Sequence, residues 1–265
     1  MIRTPAVAGT FYPDNKQALT QEIERCINSQ ADKKPCIGAI APHAGYMFSG
    51  PIAGELFSQI NIPATVIILA PNHRGPLAPF ALSRADAWRT PLGHVEIDKE
   101  LTETIAGRLP LLKYDSAPHV NEHSAEVQVP FLQYFRPDVK IVPIVIAEHD
   151  YESLAELGSC IAECVRGKDV LILASSDMTH FEDADTAKQL DDIALEQVLK
   201  LDAFALHRTI ISNKISMCGF CPAAAMIIAA VELGAQNAEL VRYGNSGDVT
   251  GDFSSVVGYA AVRIY

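Results

Sequence analysis

The chain has 265 residues, 49% of them hydrophobic, and its 21 basic and 32 acidic side chains leave a formal net charge of −11. That length suits one large domain with a sizeable core. Such acidity repels phosphate backbones and anionic membrane surfaces, so neither nucleic acid nor a membrane is expected as a partner. The opening MIRTPAVAGTFYPDN carries no apolar signal-like stretch, and the longest strongly apolar run, AAAMIIAAV, falls well short of a bilayer span. A cytoplasmic location is the expectation. Six cysteines over this length make no dense disulfide framework, which leaves them as buried thiols, metal ligands or redox groups.

In chain order, Asp14 and Gln17 read as a capping box ahead of a helix reaching residue 28, with Leu19, Ile23, Cys26 and Ile27 as its buried stripe. Apolar, β-branched runs predict strands over 37–40, 65–69, 140–146, 169–174, 239–243 and 255–264. Residues 79–97 read as a hairpin or edge pair with 85–91 as its connection. Helices are expected over 51–59, 98–108, 125–135, from 150 onward, and over 185–199, 203–211 and 222–233. Strands alternating with helices predict an α/β fold, a single domain over residues 1–265 with a mainly parallel or mixed sheet covered by helices on both faces. In such sheets ligands bind in the loops beyond the carboxyl ends of the strands.

Three predicted strands run straight into polar residues that can bind metal. IAPHAGY places His43, ILAPNHRG places His73, and ILASSDMTH places Asp177 and His180. A lone histidine after a strand is usually structural; the same layout on three strands points to a shared site. NEHSAEVQVP adds Glu122, His123 and Glu126, which also suit a helix start as caps. His119 and His123 are four apart, but Pro118 argues against one helix carrying both as a ligand pair. ISMCGFCPAAAM places Cys218 in a glycine-containing loop and Cys221 ahead of Pro222, where a helix N-terminus would lower a thiol pKa. The CxxC spacing also admits a thioredoxin-like dithiol, though it falls late in the chain. Cys160 and Cys164 are read as core thiols, and His94, His149 and His207 as structural or solvated. Imidazole with thiolate suits iron, copper or zinc rather than magnesium or calcium, and two His with one Cys leave coordination positions open.

Taken together, RTPAVAGTFYP, IAPHAGYMFSGP, LAPNHRG, NEHSAEVQVPFLQ, SSDMTHF, MCGFCP and GNSGDVTGDFSSVVGYAA resemble the Memo family along nearly the whole chain. Prokaryotic members are known as protein B of the AmmeMemoRadiSam system, which implies AmmeMemoRadiSam partner proteins. The resemblance implies a fold similar to class III extradiol dioxygenases. It implies His43, His73 and Cys218 as metal ligands, with His123, Asp177 and His180 as pocket residues cast in catalytic roles. It implies iron, as Fe2+, or copper, with zinc left possible by the donor set alone, and a small-molecule or peptide ligand in the metal pocket. The dioxygenases use two histidines and a carboxylate; here Cys218 stands in the carboxylate's place, which puts ring cleavage in doubt. Three readings follow: an iron- or copper-dependent oxidoreductase-like protein, a non-catalytic metal- or peptide-binding module, and a zinc hydrolase.

Overall fold

The computed structural model describes residues 1–74 and 78–265; Gly75, with which the motif LAPNHRG ends, lies outside the described residues. In chain order the elements are β1 (Ile2–Arg3), α1 (Lys16–Cys26), β2 (Gly38–Ala41), α2 (Tyr46–Gln59), β3 (Thr65–Pro71), β4 (Phe80–Leu82), β5 (Ala87–Thr90), β6 (Gly93–Ile97), α3 (Lys99–Arg108), β7 (Leu112–Tyr114) and α4 (Ala117–Val120). After a 3-10 turn (Glu126–Gln128) come α5 (Val129–Phe135), β8 (Lys140–Ile146), α6 (Tyr151–Val165), β9 (Val170–Ser175), β10 (His180–Glu182), α7 (Ala184–Leu199), α8 (Ala203–Asn213), α9 (Phe220–Glu232), β11 (Ala238–Asn245), α10 (Gly247–Thr250) and β12 (Val256–Ile264).

The sheet runs β1-β5-β6-β8-β3-β9-β2-β12-β10, with β11 also on β12, and β4 between β7 and β8. At its centre β8, β3, β9 and β2 are parallel, while β12 returns antiparallel against β2. The sheet is therefore mixed, and the α/β expectation holds. Both faces of the central strands are covered, which explains their continuous apolar sequence. Along β3 the side chains alternate: Ile67 and Leu69 enter the core shared with α6 and α9, whereas Val66, Ile68 and Ala70 enter the core shared with α1, α2 and α5. The α6–α9 contact is close because position 158 is glycine; a Cβ there would come within 2.7 Å of the Ala225 carbonyl oxygen.

Four local expectations are corrected. Asn15, not Asp14, caps α1, its side chain accepting from Ala18 N at 2.9 Å. The connection placed at 85–91 contains strand β5, which pairs with β6 as the true hairpin, while β4 leaves to join β7 and β8. The helix expected at 51–59 starts five residues earlier, carrying Pro51 inside it. The helix expected over 125–135 is a 3-10 turn followed by α5, with Pro130 in the first turn of α5, where its missing N–H costs nothing.

Candidate metal centre

β2, β9 and β3 lie side by side, and each is followed two residues later by a chemically active side chain: His43 after Ala41, Asp177 after Ser175, His73 after Pro71. The loop before α9 brings Cys218 to the same rim. The ligating atoms of His43, His73 and Cys218 all lie within 4.8 Å of one another. The His43 and His73 ring centroids are 5.4 Å apart, and Cys218 Sγ is 3.3 Å from His43 Nε2. Position 219 has to be glycine for this approach, since a Cβ there would meet the Ser175 carbonyl oxygen at 2.3 Å.

Hydrogen bonds define which nitrogen of each imidazole is free. Ser175 Oγ donates its one proton to Ser124 O at 2.7 Å and accepts from Gln128 Nε2 at 2.8 Å. It can therefore only accept from His43 Nδ1, 2.9 Å away, which leaves the Nε2 lone pair facing Cys218. Burial, followed by the neighbouring imidazoles of His123 and His73, holds His43 well below the ordinary histidine range, so it is neutral at pH 7. For His73 the partner is Glu122, which accepts from His73 Nδ1 at 2.9 Å and from His73 N at 2.7 Å. Burial would raise the Glu122 carboxyl, but the His73 and Ser124 donors outweigh it and bring it to about 2. An ionised carboxylate only accepts, so Nδ1 of His73 carries the proton of this bond, and Nε2 is the nitrogen left for the cluster. This carboxylate–histidine arrangement orients metal-ligating imidazoles.

Asp177 accepts from His43 N at 2.7 Å, and its Oδ2 lies 4.0 Å from His43 Nε2. Burial raises its carboxyl to about 6 against the pull of that N–H. Burial, and then the Asp177 carboxylate, push the Cys218 thiol upward. A half-buried thiol beside a carboxylate and two imidazoles is a donor set that suits a cation, which would deprotonate the thiol. His123 stacks on His73 with centroids 4.8 Å apart, and burial takes its imidazole down to about 4. The group His73, Glu122 and His123 also has metal-ligand spacing, but the Glu122 oxygens are already taken by His73, His123 N, Ser124 N and the Ser124 hydroxyl. His180 has its N and Nδ1 tied to the Ser216 Oγ and O, and it lies close enough for a proton on its ring to act on both His43 and Asp177.

The expectation for Cys221 is corrected. It lies inside the first turn of α9 and is packed in the core, where burial, then Glu148, push its thiol up rather than down. All six cysteines are free thiols. Ser175, Gln128 and Ser124 were legible only as parts of motifs; nothing in sequence spacing marks them as partners of His43. His119 is not with His123: it is 2% exposed, faces Trp88, and pairs Nε2 with Ala81 O at 3.1 Å. Burial, opposed by the Ala81 carbonyl and helped by Arg3, lowers its pKa from 6.5 to about 4, with Asp115 and Glu122 pulling weakly the other way. Between those values the unfolded chain binds a proton that folded His119 refuses, so stability falls as pH drops from 6.5 to 4 and levels off below. The full effect is about 3 kcal/mol. Urea unfolding of His119→Gln at pH 7, 5 and 4 is expected to show a flatter loss than the wild type; an identical slope refutes the assignment.

Fold and side chains together define an α/β protein with a His, Cys and carboxylate cluster beyond the carboxyl ends of the parallel central strands of a mixed sheet. A family model described as Memo-like protein matches residues 3–263. A MEMO1 family protein of Methanothermobacter thermautotrophicus is 42% identical over 274 residues, covering 98% of this chain and 99% of that protein. One of Methanococcoides burtonii is 43% identical over 267 residues, covering 99% and 100%. The chain belongs to the Memo family. The crystal structure of protein JW3007 from Escherichia coli K12 is similar in fold, with a TM-score of 0.55 and 12% identity, covering 86% of this chain and 100% of that one.

Proposed function

We propose that the chain is a metal-dependent oxidoreductase-like protein whose His43, His73 and Cys218 hold a redox-active first-row ion, iron or copper. The observation that carries this reading is the convergence of three lone-pair donors within 4.8 Å, two of them imidazoles whose other nitrogen is occupied. Two imidazoles and a thiolate suit iron, copper or zinc. Bound there, a ferrous ion would supply Lewis-acid and one-electron chemistry with positions open for a ligand. The chain's own residues do the rest. Ser175 and Glu122 fix the ligand tautomers. Neutral His123, whose Nδ1 lies 3.3 Å from Glu122 Oε1, and His180, whose Nδ1 is tied to Ser216 O, can each accept a proton through Nε2. Asp177 positions the His43 backbone. A small organic molecule or a peptide would enter from the His73 side, where the side chain is 30% exposed.

The test is metal analysis of protein purified without chelator or nickel resin, followed by oxygen uptake by the anaerobically iron-loaded protein with catechols and small reductants. Iron or copper with uptake supports the reading. Metal without uptake favours the second reading, a non-catalytic metal- or peptide-binding module, and zinc with hydrolysis of esters favours a hydrolase. AmmeMemoRadiSam partner proteins remain a proposal tested by co-purification. Among the described residues no helix is long and apolar enough to cross a membrane.

A further inference from the structure

We infer that residues 3–12 form a brace that sets His73, Glu122 and His123 against His43, with Arg3, Glu126 and Tyr12 as positioning residues. The inference rests on the metal reading above, which leaves the opening motif RTPAVAGTFYP without a task.

The segment that needs holding is irregular. Between α4 and the 3-10 turn, residues 121–125 carry Glu122 and His123 on a backbone with little regular bonding of its own. Arg3 grips this segment and both of its flanks: Nε donates to His119 O at 2.6 Å, one terminal nitrogen to Glu122 O at 2.8 Å, and the other to Glu126 Oε2 at 2.6 Å. Both charges of the pair are buried, with side-chain exposures of 6% and 1%. Glu126 then accepts from Ala6 N at 2.7 Å, Val7 N at 3.0 Å and the Tyr12 hydroxyl at 2.6 Å. The brace thereby closes on itself around one carboxylate.

Its far end reaches both candidate histidine ligands. The Phe11 ring packs on His123, centroids 4.9 Å apart, and His123 stacks on His73. The Phe11 carbonyl accepts from Tyr46 N at 2.7 Å, the first helical N–H of α2. That helix follows the His43 loop and has no side-chain cap, so the brace satisfies an N–H that would otherwise lack a partner. One strap therefore links the loop bearing His43 to the loop orienting His73. A guanidinium fork is required for the three-point grip; a lysine ammonium cannot span it.

The experiment uses Co2+ as the probe, added to the full metal-free chain. Arg3→Lys keeps the charge and loses the fork; Tyr12→Phe removes one bond and leaves no charge unpaired. Leu157→Ala, in the opposite core, is the control for mere loss of stability. Each variant is titrated well below its melting temperature. Arg3→Lys and Tyr12→Phe are expected to weaken Co2+ binding by about 10-fold or more, the size of effect that outer partners of metal ligands produce, and to shift the d–d absorption. Leu157→Ala is expected to melt earlier with the wild-type affinity and spectrum. Wild-type binding in both brace variants overturns the inference, as does an equal change in Leu157→Ala. If the wild type itself shows no cobalt–thiolate absorption, the metal reading fails separately. The brace is then judged in metal-free protein by the imidazole nitrogen NMR shifts of His73 and His123, which move in Arg3→Lys if the brace positions them and stay fixed if it does not.

Discussion

Cys218→Ser is expected to weaken Co2+ or Fe2+ binding by at least about 100-fold, beyond what loss of an outer partner costs, while leaving the fold intact. Serine keeps the size and can still accept from Asp177 N, which now donates to Sγ at 3.3 Å. It cannot supply a thiolate, because a hydroxyl beside the Asp177 carboxylate stays protonated and binds soft and borderline ions weakly. The cobalt–thiolate absorption should vanish with the affinity. Cys218→Asp is the informative companion. It rebuilds the two-histidine, one-carboxylate set of the extradiol dioxygenases, so metal binding should return without the thiolate band. Unchanged binding in Cys218→Ser would mean that Sγ is 3.3 Å from His43 Nε2 only as a hydrogen-bonded thiol.

The positions of His43, His73 and Asp177 were legible because their cause is local. Each follows a short buried, largely apolar run, and buried parallel strands must end at a common rim. What sequence could not show were pairings between residues far apart. Ser175 meets His43 across 132 positions, and Glu122 meets His73 across 49. Glu122 could equally have been a helix cap, since acidic groups favour both places. Short strands were missed for a different reason: β5 and β7 have four and three residues, too few for a period to declare itself. Asp14 and Asn15 are both competent caps, and only the backbone of α1 chooses between them. Cys221 was misread because helix position alone suggests a low pKa, whereas burial in the core decides its charge.

Glu122→Gln should have the largest combined effect on stability and metal binding. The wild-type carboxylate is 1% exposed and receives donors from every side: His73 N, His73 Nδ1, His123 N, Ser124 N and the Ser124 hydroxyl. A glutamine amide offers one oxygen, and its NH2 would point at groups that also donate. Removing a hydrogen-bonded buried charge of this kind costs about 3 kcal/mol. With its oxygen in the Oε1 place the amide would set its NH2 against the His73 N–H and offer His73 Nδ1 only an uncharged acceptor, so the loop shifts and Nε2 is held less firmly toward a metal. Metal affinity should fall by about 10- to 100-fold. Chemical denaturation and Co2+ titration read the two effects independently. A variant that loses stability but binds cobalt as the wild type does would make Glu122 a loop anchor only. If instead both measurements match the wild type, the carboxylate neither holds the loop nor orients His73, and the ligand role of His73 loses its support.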